Sequence, residues 1–61
     1  MMSKATAKKE LAQLSSGTLA RLTGLRNMAD IDAVLADMIS AIDHIDVSDC
    51  ENWHDVWNRI Q

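Results

Sequence analysis

Met28-Ala-Asp-Ile-Asp-Ala-Val-Leu-Ala-Asp-Met-Ile-Ser-Ala-Ile-Asp-His-Ile45 is the stretch whose reading decides the fold. Its large apolar residues are Met28, Ile31, Leu35, Met38, Ile42 and Ile45. They alternate three and four positions apart, the repeat of a helix with an apolar seam. Val34 and Ile39 widen that seam into a core-facing stripe. These six large residues are therefore the expected core, and the expected centre of a dimer. A second row on the same helix, Ala29, Ala33, Ala36 and Ser40, carries only small side chains, which permit close approach of another helix. Alanine is also simply the best helix former. A central helix covered on two sides is more than one short chain supplies, so the second row favours a homodimeric helix bundle.

Upstream, Ser3 is placed to cap a helix beginning near Lys4. Ala7, Leu11, Leu14, Leu22 and Leu25 share one face of a 3.6-residue wheel, with Leu19 at its edge. That geometry predicts one amphipathic helix over about 4–23. Its weak point is Leu14-Ser-Ser-Gly-Thr18, where Ser15 and Thr18 intrude on the apolar side and Gly17 costs about 1 kcal/mol relative to alanine. Gly24 is a natural stop. Asn27 is then a candidate N-cap, with Asp30 as a competitor and as an acid near the positive helix end. The second helix is expected over about 28–46. The short turn makes the first two helices antiparallel neighbours, a long hairpin.

Downstream, Ser48-Asp-Cys-Glu51 fits a capping box. Cys50, Trp53, Val56, Trp57 and Ile60 then fall on one face of a short helix expected over about 49–60. A helix this short needs something to dock on. The expected fold is thus all-α: a long antiparallel hairpin plus a short C-terminal helix, in one small domain spanning 1–61.

Composition narrows the function. The chain has 61 residues, no proline, no tyrosine, no phenylalanine and one cysteine. A monomer of this size is marginal without staples, and one cysteine forms no internal disulfide. A lone thiol suits a reducing compartment, so the expected location is cytoplasmic. No run is apolar enough to span a membrane, and the lysine-bearing N-terminus lacks the apolar core of a secretory signal. Charge is split: Lys4, Lys8, Lys9, Arg21 and Arg26 face only Glu10 before Asn27. Asp30, Asp32, Asp37, Asp43, Asp46, Asp49, Glu51 and Asp55 face only Arg59 after it. Opposite charges on neighbouring helices attract, within or between chains. The net charge of −3 opposes binding to phosphate at long range.

Chemistry is sparse. Cys50 and His54 stand four apart with His44, Asp46 and Asp49 nearby, but four zinc ligands do not assemble and a buried structural cysteine is the better reading. The aspartates lack calcium-loop spacing. No nucleophile, base and orienting group converge, so no catalytic residues, cofactor, metal or small-molecule substrate are expected. Thr18-Leu-Ala-Arg-Leu-Thr-Gly-Leu25 resembles the front half of a helix-turn-helix DNA-binding unit, with Ala20 and Gly24 at the typical separation. Such a resemblance implies a transcriptional regulator, yet the helix after the turn carries aspartates where donors for phosphate and base edges belong. Trp53 and Trp57, with Ile60, are either core or the anchors of a protein partner. The reading that results is a small non-enzymatic interaction module. It would act as an adaptor, inhibitor or regulator of a larger protein, in the manner of a bacterial or phage accessory protein. DNA binding and an acidic imitation of nucleic acid are the alternatives.

Overall fold

The computed structural model describes residues 2–61. Four α-helices follow one another: α1 (Lys4–Ala12), α2 (Ser16–Thr23), α3 (Met28–Ala41) and α4 (Trp53–Ile60), with a 3-10 turn, Ile42–His44, continuing α3. Among the described residues there is no strand, and no helix is long and apolar enough to cross a membrane.

α3 runs through the middle of the arrangement. It contacts α1, α2 and α4, and α1 also reaches α4. Ile31, Met38 and Ile42 are buried along its inner side. They meet Ala7 and Leu11 of α1, Leu19 of α2, and Val56 and Trp57 of α4 in one core that also takes in Met2, Val47 and Cys50. Leu35 and Ile45 pack at the margin of this core, half-buried. Met28 departs from the expectation: it is 51% exposed. The seam expected at the centre of a dimer is largely covered by the chain's own helices. Met28 lies on the first turn of α3, and its place on the wheel is at the seam's edge, beside Leu35 and Ile39.

The first helix does not continue to Thr23. It stops at Ala12, and a new one starts at Ser16. The cause is Ser15, whose hydroxyl accepts the Thr18 N–H at 3.2 Å and caps the second segment. Serine competes with the helix for exactly such backbone groups. The break also removes the conflict on the wheel. α2 is free to rotate, so Leu19 becomes buried while Ser15 remains exposed. The expected hairpin of two long helices is replaced by two short helices laid against α3.

Gly24 ends α2 in the left-handed conformation, φ 72°, and its N–H returns to the Ala20 carbonyl at 2.8 Å. That backbone suits glycine above other residues. Asn27 caps α3 by accepting the Ala29 N–H at 2.8 Å.

α3 was expected to reach Asp46 but passes into the 3-10 turn at Ile42. Asp46 then accepts the Ser48 N–H at 2.9 Å, a local turn that competes with helix. Ser48 does not cap a helix: the Glu51 N–H that its hydroxyl would accept donates instead to Asp55 Oδ2. α4 starts at Trp53, not near Asp49, and Asn52 is its cap.

Every free N–H of the first turn of α4 has an acceptor. Asn52 Oδ1 takes the His54 and Asp55 N–H groups, at 3.0 and 3.2 Å. Trp53 N–H donates to Glu10 Oε1 of α1 at 3.0 Å, and Val56 N–H to the Asn52 carbonyl at 3.4 Å. Asp55 Oδ2 reaches back to the Glu51 N–H at 3.0 Å. This is a reciprocal capping arrangement four residues beyond the expected one.

Candidate interaction surface

The chemistry-bearing residues cluster where α4 joins the preceding loop. Arg59 places its two terminal nitrogens on the two oxygens of Asp49, each at 2.6 Å, and Nη1 also donates to the Asp46 carbonyl at 3.0 Å. The guanidinium holds the Asp49 carboxyl below its ordinary range, and Asp49 in turn raises Arg59. Asp46 is lowered chiefly by the Ser48 backbone N–H. Asp43 is lowered by Lys8, whose ammonium lies 2.6 Å from Oδ1. Lys4 donates to the Asp43 carbonyl at 3.1 Å. Lys4 and Lys8 thus sit at the negative end of α3, where cations are favoured.

These contacts fasten elements together. Arg59 clamps α4 to the loop, while Glu10, Lys4 and Lys8 fasten α1 to the two helix ends beside it. Only one ion pair, Lys8–Asp43, joins the basic and acidic halves of the sequence among the described residues. Lys9, Arg21 and Arg26 are exposed and form no ion pair there.

Cys50 is buried in the turn before α4, not on the helix itself. Asp49, Glu51, Asp55, Asn58 and Arg59 line a shallow open depression with it. No group of three or more His, Cys, Asp or Glu side chains gathers at a metal-binding distance among the described residues.

The three candidate partner anchors separate. Trp57 is 2% exposed and belongs to the core, so it has no surface to offer a partner. Its indole N–H is buried without an acceptor among the described residues. Trp53 and Ile60 are half-buried against that core. Trp53 meets the His54 ring edge-on, with centroids 5.3 Å apart at 87°.

What remains open is the outer side of α3. Ala29, Ala33, Ala36 and Ser40 are all exposed, in a row along the helix. Asp32 and Met28 border this row on one side, Asp30 and Asp37 on the other, and all four are exposed. The small-residue row was visible in the sequence. Its exposure was not, because that depended on which side of α3 the other helices would take.

The partial helix-turn-helix reading finds its turn in Gly24, between α2 and α3. The exposed side chains that follow include Asp30, Asp32 and Asp37, and α3 contains no lysine or arginine. Comparison of the chain with protein-family models, curated proteins and solved structures finds no match.

Proposed function

We propose that the chain is a non-enzymatic protein–protein interaction module that docks through the outer side of α3. The observation that carries this reading is the contrast across that helix. The inner side is filled by the other three helices, while the outer side presents Ala29, Ala33, Ala36 and Ser40 to solvent beside the exposed Met28. Small side chains let a second helix approach toward the short end of the usual 8–10 Å interaxial range. A helix-on-helix contact of this kind suits an adaptor or inhibitor seated on a larger protein.

Ala33→Gln is the test. It places a long side chain in the middle of the row without disturbing the core. Capture from cells with wild-type bait should recover a partner that the Ala33→Gln bait, with an unchanged melting temperature, does not. Recovery of the same proteins by both baits contradicts the proposal.

A further inference from the structure

We infer that α4, with the turn that leads into it, is a latch: residues 50–61 swing off the body as one unit while α1, α2 and α3 stay folded. The inference is independent of the outer side of α3.

The first observation is how little polar bonding ties this unit to the body. Asn52 caps the helix from within the unit, and Asp55 returns to the Glu51 N–H. Those bonds travel with α4 when it leaves. Arg59 bonds to the Asp46 carbonyl and the Asp49 carboxylate, both in the loop just before the unit. That ion pair is exposed, and exposed pairs hold weakly in water. Among the described residues, one hydrogen bond of the unit reaches farther along the chain: Trp53 N–H to Glu10 Oε1 of α1, at 3.0 Å. The body keeps its own contacts, since α3 meets α1 and α2 directly.

Trp57 supplies the second observation. Docking takes its indole N–H out of water without an acceptor among the described residues, which is costly. Opening returns that group to water and offsets part of the apolar area lost. Val56 and Trp57 are buried, so the closed form still dominates. An isolated eight-residue helix is too short to persist, so the open form is a minor state.

The hinge is the third. Ser48 and Asp49 are exposed and join Val47 to Cys50, both buried. The Cys50 N–H closes this turn on the Val47 carbonyl at 3.0 Å. Releasing that bond lets the chain beyond Asp49 move while Val47 stays in the core. Cys50, the single cysteine of the chain, lies against Asp55, Asn58 and Arg59 of α4. Its thiol is covered while α4 is docked and uncovered when α4 swings away. The latch thus controls access to the Cys50 thiol and to the Trp57 indole.

Thiol labelling of the full chain with an aromatic disulfide reagent, followed across low urea concentrations, reads the opening. Cys50 should react through an opening with a shallower urea dependence than global unfolding. The Trp57 and Asn58 amides should exchange hydrogen through the same opening, and those of Leu35 and Met38 through global unfolding. Glu10→Ala, which leaves a good helix former in α1, should speed labelling about tenfold. Asn27→Ala weakens the cap of α3, an element folded in both states. It should lower the global denaturation midpoint and leave the labelling rate unchanged.

Labelling that follows global unfolding, with the same urea slope and equal acceleration by the two variants, overturns the latch. So does labelling that Glu10→Ala leaves unchanged. Labelling while the Trp57 and Asn58 amides stay protected also overturns it, because the turn then moves without the helix.

Discussion

The inner and outer sides of α3 are made from the same fourteen residues, and they solve opposite problems. On the inner side Ile31 and Met38, followed by Ile42 in the 3-10 turn, are large, branched or flexible, and buried beneath three other helices. On the outer side Ala29, Ala33, Ala36 and Ser40 are small, exposed, and bordered by acids that form no ion pair among the described residues. The inner side gains from area removed from water, which scales with side-chain size. The outer side has no such gain within one chain. Its small residues are useful chiefly for letting a neighbour come close. The comparison teaches that the apolar heptad, the loudest signal in the sequence, reports the fold. The quieter row on its back is what the fold leaves exposed.

The predictions sharpen that division, beginning with the largest effect. Trp57→Ala empties the space under α4 and should cost about 3–5 kcal/mol of stability in chemical denaturation. Trp57→Phe should cost much less, because it also removes a buried N–H without an acceptor, a group that itself costs about 1–3 kcal/mol. If both variants lose equal stability, the orphan N–H is satisfied in solution.

Asn52→Ala comes next. It strips the acceptor from two N–H groups of α4 and should cost about 0.5–2 kcal/mol. Ser48→Ala, at the cap position the sequence suggested, should stay within about 0.5 kcal/mol of wild type. The reverse order would restore the helix start near Asp49.

The smallest effects lie in the surface carboxylates. Asp43, Asp46 and Asp49 are all lowered in the folded chain from an ordinary value of 3.8. Groups lowered on folding contribute stability that is present above the unfolded value and lost as pH falls through the folded one. A melting-temperature series should therefore be flat in this respect above about pH 5 and decline below it. Arg59 is raised, so its share would be lost only at extreme alkaline pH. Asp49→Asn should blunt the acid decline.

How much of this was legible beforehand depended on whether a signal was local. Ser3, Gly24 and Asn27 act where the sequence placed them; Asn27 caps α3 over its competitor Asp30 because its side chain takes the Ala29 N–H. The break at Ser15 was visible as a weakness, yet the apolar wheel spanned it. Wheel continuity is a necessary condition for a helix and not a sufficient one, and a serine hydroxyl was enough to end it. The start of α4 was misplaced because Ser48-Asp-Cys-Glu51 and Asn52-Trp-His-Asp55 both offer a cap and an acid three residues on. Asn52 takes the His54 and Asp55 N–H groups, and Asp55 takes the Glu51 N–H that Ser48 would have capped. The Glu10 contact to Trp53, 43 residues away, left no trace in local pattern. For Trp53, Trp57 and Ile60 the sequence left core and partner anchor equally open, because one apolar face serves both; Trp57 is buried in the core.

The most direct test of the division across α3 is a paired thermal melt of Ile42→Ala and Ala33→Gln beside wild type. Ile42 is completely buried and Ala33 is exposed. The account predicts that Ile42→Ala lowers stability by about 2–5 kcal/mol, the range for truncating a large buried aliphatic residue. Ala33→Gln, despite adding more atoms than any other change considered for α3's outer row, should remain within about 0.5 kcal/mol of wild type. Comparable losses at the two positions would mean that both sides of α3 are buried in the folded protein, and the claim of an open outer side would be wrong.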